Sequence, residues 1–226
     1  MTARSIIFDL DGTLIDSAVL CAGILTDMLR DRGSSRIVTR DCAKPHMSGG
    51  GEHLVSTMLG PDCGDVAAEL IEFRCRYAEL PTPETSLFDG VLPGLKRLHA
   101  RGFGLAICSN KPQHLCEKVV SDLGIEPLFS AVIGSADGRQ PKPHPELLDL
   151  AMEALESRPA DCLFVGDSDV DHAVAKASGV PFLLVDYGYA PPQWDRSGMV
   201  EFSHFADLVE AVTVAHGSSP LERRAA

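Results

Sequence analysis

Asp9-Leu10-Asp11-Gly12-Thr13, Ser109-Asn110-Lys111, Lys142-Pro143 and Gly166-Asp167-Ser168-Asp169-Val170-Asp171 are the stretches of this sequence whose side chains could do chemistry together. Two carboxylates two residues apart share a face on a continuing strand. Gly12 permits a sharp departure with positive φ, so Asp9 can project from a strand tip while Asp11 sits in the turn beside it. Two environments allow two jobs. Crowded like charges repel, and the remedy is a divalent cation with oxygen ligands. Asp9, the backbone carbonyl of Asp11 and Asp167 would suit Mg²⁺, with water and a substrate oxygen completing an octahedron. Lys111 and Lys142 bring positive charge, and Thr13, Ser109 and the Gly12 backbone bring neutral donors, with Asn110 beside them as a further substrate-binding candidate. That combination recognises a phosphoryl group. The matching reaction is attack of a carboxylate on phosphorus, giving an aspartyl-phosphate that water cleaves, while the second aspartate acts as general acid and then base.

These residues need a scaffold that brings them to one place. Apolar runs at Arg4 to Phe8, Phe103 to Cys108, Ala131 to Ile133, Leu163 to Val165 and Pro181 to Val185 read as strands. Helical spacing lies between and after them, at Gly94 to Ala100, Gln113 to Leu123, Pro145 to Leu155, Val170 to Ala177 and His204 to Ala215. The alternation predicts an α/β, Rossmann-like core with a five-stranded parallel sheet. In such sheets ligands bind outside the carboxyl ends of the strands, where the reactive stretches fall. An Asp-x-Asp-Gly turn or a Lys-Pro pair alone is ordinary turn chemistry. Their joint occurrence, in order, at successive strand ends is what carries the reading.

From about Leu14 to Leu80 the alternation stops. Two amphipathic segments, Ala18 to Arg30 and Val66 to Ala78, stand there without a convincing strand, and Leu80-Pro81-Thr82-Pro83 closes the stretch with residues that cannot continue a helix. This predicts an all-helical inserted domain at 15–83, within a core formed by 1–14 and 84–226. His46-Met47-Ser48-Gly49-Gly50-Gly51-Glu52-His53 is its segment expected to face the substrate, with Gly49 and Gly50 as candidate binding positions. His46, His53 and Lys44 are left without a role. Gly217 to Ala226 is small and polar and is expected to fray.

The 226 residues carry 20 Lys and Arg against 32 Asp and Glu, a formal charge of −12, which disfavours nucleic acid and anionic membranes as partners. The partner expected is a small phosphorylated metabolite, met by a monomer or homodimer. Arg4 followed by three apolar residues and an aspartate is neither a secretory signal nor a membrane span, which predicts a cytoplasmic protein. Seven cysteines without a C-x-x-C pair read as reduced thiols.

In this order, D-x-D-G-T, a serine after the second strand, a lysine and G-D-x-x-x-D, the sequence resembles the haloacid dehalogenase superfamily of phosphatases. The resemblance spans roughly residues 4 to 190. It implies that Asp9 is the nucleophile, Asp11 the general acid/base, Ser109 a phosphate ligand and Lys142 a bridge between nucleophile and phosphate. It also implies Mg²⁺ held by Asp9, the Asp11 carbonyl and Asp167, with Asp171 ordering Lys142 or a metal-bound water, and a helical type-one cap. Asp16-Ser17, Phe88-Asp89-Gly90-Val91 and Tyr187-Gly188-Tyr189 are most similar to phosphoglycolate phosphatases, markers shared with pyrophosphatases and sugar-phosphate phosphatases. Resemblance to β-phosphoglucomutase-type isomerases is weaker, because no arginine–lysine phosphate grip is evident in the insertion.

Overall fold

The computed structural model describes residues 3–217. The terminal stretch expected to fray lies, from Ser218 onward, outside the described residues. A parallel sheet organises the molecule, with strands β1 (Ser5–Phe8), β2 (Gly104–Pro112), β3 (Ala131–Ser135), β4 (Cys162–Gly166), β5 (Phe182–Val185) and β6 (Glu201–Phe202) in the order β3-β2-β1-β4-β5-β6. Six strands replace the five expected. The sixth is two residues long, paired as Leu184↔Glu201 and Val185↔Phe202, too short for an apolar period to announce it.

Period-two alternation fixes both faces of the sheet. Ile6, Phe8, Leu105, Ile107 and Val165 face one buried cluster; Ile7, Ala106, Cys108 and Phe164 face the other. Helices cover both faces: α5 (Val91–Ala100), α6 (Gln113–Asp122), α7 (Glu146–Ala154), α8 (Asp169–Ser178) and α9 (Phe205–Gly217). Register then places the chemistry. Phe8 stands level with Ile107 on one side and Val165 on the other, so Asp9, Ser109 and Asp167 emerge within a residue or two of the same edge. β1 is where the strand order reverses, the crevice position of such sheets.

Between β1 and α5 the described chain is helical: α1 (Ala18–Asp31), α2 (Arg40–Ala43), α3 (Gly51–Leu59) and α4 (Val66–Glu79), with short 3₁₀ turns. The departing and returning strands run side by side, with Asp16 N–H donating to Ser86 O (2.7 Å) and Phe88 N–H to Leu14 O (3.1 Å). The glycine-rich segment is not an open loop. Lys44–Gly49 is a 3₁₀ helix, Gly50 (φ +86°) turns the chain, and α3 begins at Gly51. A Cβ on Gly51 would sit 2.8 Å from Leu70 Cδ1, so this glycine lets α3 close on α4. No helix among the described residues is long and apolar enough to cross a membrane.

Candidate active site

Asp9 extends the β1 ladder by donating its N–H to Val165 O (2.9 Å), which fixes its backbone at the strand tip. Its carboxylate is buried and accepts from Lys142 Nζ through Oδ1 at 2.8 Å. Lys142 Nζ also donates to Asp171 Oδ1 (2.6 Å) and Cys108 O (3.0 Å), so its three protons all have acceptors. The backbone behind it is stapled by Asn110, whose Oδ1 accepts from Lys142 N–H (2.7 Å) and whose Nδ2 donates to Lys142 O (2.9 Å). Asn110, expected to bind substrate, lines the cavity but directs these two atoms to the lysine backbone.

Asp171 does two things at once. With Ser168 it forms the capping box that starts α8, and it orients Lys142 from the other side. Its Oδ2 accepts from Ser168 Oγ (2.6 Å) and from the N–H groups of Ser168 (3.2 Å) and Asp167 (3.3 Å). A Cβ on Gly166 would lie 2.5 Å from Asp171 Cβ, so only glycine fits at that point. Asp169, on the same turn, is exposed.

Asp167 is held by Tyr189 N–H (2.5 Å to Oδ2) and by Thr13 Oγ1–H (3.3 Å to Oδ1). Gly12 (φ +88°) and Gly188 flank it; a Cβ on either would come 2.3 Å from Asp167 Oδ2. Thr13, expected among the substrate ligands, is fully buried beneath the site and directs its hydroxyl to Asp167. The Tyr187-Gly188-Tyr189 segment straps this corner: Tyr187 Oη–H donates to Thr13 O (3.0 Å) and Tyr189 Oη–H to Asp16 Oδ1 (2.9 Å). Asp16 in turn takes Arg40 Nε–H at 2.6 Å, tying α2 to the core.

Asp11 accepts from Lys111 Nζ with both oxygens (3.0 and 3.1 Å), and the ammonium lies 4.2 Å from the Tyr77 ring centroid on α4. Ser109 is buried at the same edge and its Oγ accepts from Lys111 N–H (3.3 Å). A cavity of about 180 Å³ opens here, lined by Asp9, Asp11, Ser109, Lys111, Lys142 and Asp167 from the sheet edge and by Met47, Ser48, Gly50, Leu70, Phe73, Arg74 and Tyr77 from the helical insertion. Gly50 lines it. Gly49 does not; it packs on the His53 ring, whose Nε2 is 3.0 Å from His46 Nδ1. Lys44 Nζ donates to Tyr187 O (3.1 Å), a further tie between insertion and core. Arg74 and Tyr77 are cavity residues that the sequence reading missed.

Burial dominates the electrostatics. It pushes Asp9 up to about 7, against the pull of Lys142 and helped by the charges of Asp171 and Asp11. Burial also holds Asp167 well above the usual carboxylate range, and Asp171 and Asp9 add to it. Burial alone would lower Lys142, but Asp171 and Asp9 outweigh it and keep the ammonium charged; Asp11 does the same for Lys111. Asp9, Asp167 and Asp171 bring carboxylate oxygens within 4.8 Å of one another, with Lys142, among the described residues, the one cation bonded to them. Three buried carboxylates against one ammonium form a donor set suited to a metal ion, with Asp167 outside the lysine–serine network that engages Asp9 and Asp171. Burial pushes the Cys108 thiol up to about 12, so it is a packing residue, and no disulfide joins any of the seven cysteines.

The model of the haloacid dehalogenase-like hydrolases matches residues 6–185. The chain belongs to that family. Two relatives of this hydrolase are named phosphoglycolate phosphatase: one from Xanthomonas campestris pv. campestris, 32% identical over 204 residues (88% of this chain, 92% of the relative), and one from Cereibacter sphaeroides, 34% identical over 210 residues (90% and 94%). The fold matches the crystal structure of a predicted phosphoglycolate phosphatase from Haemophilus somnus 129PT with a TM-score of 0.79, at 24% identity and covering 93% of this hydrolase and 98% of that chain.

Proposed function

We propose that this hydrolase is a Mg²⁺-dependent phosphatase whose substrate is 2-phosphoglycolate. The observation that supports the reading most is the pairing of Asp9 with Lys142 at the sheet edge, beside Asp11 with Lys111, in one small cavity walled by the helical insertion. The names of the relatives support the substrate.

Asp9 is the nucleophile: its Oδ1 is pinned by Lys142, which sets the rotation of the carboxylate, and attack on phosphorus gives an aspartyl-phosphate. Lys142 meets the charge of the transferring group. Asp11 gives a proton to the leaving oxygen and then takes one from the water that cleaves the intermediate. Lys111, bonded to Asp11, lines the same cavity and stands ready to meet the incoming phosphoryl group as well. Ser109, with the Gly12 backbone, donates to phosphoryl oxygens. Asp9, Asp167 and the Asp11 carbonyl would hold Mg²⁺, which when bound neutralises the excess carboxylate charge and polarises the phosphoryl group. Residues 15–83 serve as a cap over a core of 1–14 and 84–226, excluding water from the intermediate.

Phosphate release from 2-phosphoglycolate, pyrophosphate and hexose phosphates, with Mg²⁺ and with EDTA, tests this. An EDTA-sensitive preference for 2-phosphoglycolate is the expected result; equal activity over several sugar phosphates would overturn the substrate, and full activity in EDTA the metal.

A further inference from the structure

Four residues of α4 that line the cavity, Leu70, Phe73, Arg74 and Tyr77, fall at i, i+3, i+4 and i+7, the stripe a helix presents to a single surface. Three of them are large apolar or aromatic side chains. An arginine in that stripe calls for an anion, and Arg74 has no hydrogen bond or ion pair with any described residue. The acidic groups nearby are already engaged: Arg76 pairs with Asp31 (2.8 Å) and Glu72 (2.5 Å), and Arg32 with Glu69.

A second observation points the same way. Among the described residues, four buried side-chain polar atoms lack a hydrogen-bond partner, and two of them, Ser17 Oγ and Tyr77 Oη, belong to residues lining this cavity. Ser17 is 2% exposed and Tyr77 1% exposed, so neither hydroxyl is satisfied by bulk solvent. Ser17 stands where the chain leaves the core, and Tyr77 is one turn beyond Arg74 on the same face. Leu54, Leu70, Phe73 and Leu115 add apolar lining to the same cavity. A guanidinium and two hydroxyls, donors all, therefore belong to residues that line the same cavity as Asp9.

We propose that Arg74, Tyr77 and Ser17 form a second anion subsite that grips the carboxylate of the substrate while Asp9 and Lys142 take its phosphoryl group. The assignment rests on the phosphatase reading above and names the group of the substrate that sets its specificity. A carboxylate matches the planar guanidinium in two parallel hydrogen bonds, and the apolar walls strengthen that pair because little solvent screens it. Arg74 is thus a specificity-determining residue: an analogue without the anion leaves a half-buried guanidinium and two buried hydroxyls unmatched, which disfavours it.

The test compares kcat/KM for 2-phosphoglycolate with that for ethyl phosphate, a two-carbon monoester lacking the carboxylate, in Mg²⁺, for the wild type, Arg74→Gln and Tyr77→Phe. Wild type is expected to prefer 2-phosphoglycolate. The ratio should fall about 10- to 100-fold in Arg74→Gln, the size of a lost charge-assisted hydrogen bond, and about 3- to 10-fold in Tyr77→Phe. Tyr77→Phe keeps the ring beside Lys111 and carries the test if Arg74→Gln does not fold. A wild type that prefers 2-phosphoglycolate, with both variants retaining the wild-type ratio, would overturn the subsite alone. A wild type that cleaves ethyl phosphate as well as 2-phosphoglycolate would overturn the proposed substrate together with the subsite. An Arg74-dependent preference for a sugar bisphosphate over 2-phosphoglycolate would give these donors to a second phosphoryl group and also overturn the carboxylate assignment.

Discussion

Asp9→Asn should make the metal-free protein more stable while abolishing turnover. Burial raises the Asp9 carboxyl from an ordinary 3.8 to about 7, roughly three units, and each unit is about 1.4 kcal/mol, so the ionised group opposes folding by roughly 4 kcal/mol at pH 8. The sign follows from proton uptake. Between pH 4 and 7 the folded state holds a proton that the unfolded state has released, so stability falls as pH rises and the full penalty is reached above about 7. Asn keeps the shape and stands in for the protonated carboxyl, its amide oxygen still accepting from Lys142, whose attraction is already contained in the value of about 7. The net expectation is therefore up to about 4 kcal/mol at pH 8, or a melting temperature higher by up to about 8 to 16 °C. The assay is thermal and urea unfolding in EDTA at pH 5 and pH 8 for both proteins. The variant should gain most at pH 8 and show a shallower pH dependence. Equal or lower stability at pH 8, with an unchanged pH slope, would refute the claim that burial of this carboxylate is what the site holds against folding.

Lys142→Met leaves Asp9 and Asp171 without their shared cation and should destabilise the fold by about 3 to 5 kcal/mol in urea unfolding as well as remove activity; unchanged stability would contradict the network. Gly188→Ala drives a Cβ to 2.3 Å from Asp167 Oδ2, so kcat with Mg²⁺ should drop at least 10-fold, with a stability loss of about 1 to 3 kcal/mol, and wild-type kinetics would show that the corner is not rigid. Asn110→Ala deletes both bonds that hold the Lys142 backbone and should lose about 1 to 3 kcal/mol, checked by the urea midpoint.

Much of this architecture could be read from the chain because strand ends in a buried parallel sheet are abrupt. Ile6-Ile7-Phe8 gives way at once to Asp9, and Phe164-Val165-Gly166 to Asp167, so the edge of the sheet shows in the sequence as apolar runs ending in carboxylates. Asp171 was legible only through the family resemblance, as a residue that orders Lys142, and the structure adds the capping box that the same side chain makes with Ser168. The glycine triplet concealed helical structure for a physical reason: Gly49 makes room for the His53 ring and Gly51 for Leu70 in a helix–helix contact, while Gly50 and Gly51 line the cavity. Asn110 gripping the Lys142 backbone joins residues 32 apart in sequence, and no local pattern announces such a contact. Glu201–Phe202 is too short to show a period. The missed Arg74 did leave a signal, a cation in the apolar stripe of an amphipathic helix, visible once Leu70, Phe73 and Tyr77 are taken as its companions.

The claim on which the rest depends is that Asp9 becomes phosphorylated. Its direct test is rapid acid quenching of the Asp11→Asn variant during reaction with 2-phosphoglycolate and Mg²⁺, followed by peptide mass analysis, because loss of the acid/base group should slow hydrolysis of the intermediate more than its formation. The account predicts the added mass of one phosphoryl group on the peptide containing Asp9, absent in Asp9→Asn. Phosphate release with no phosphoryl mass at Asp9 at any quench time, or the mass on another residue, would contradict it.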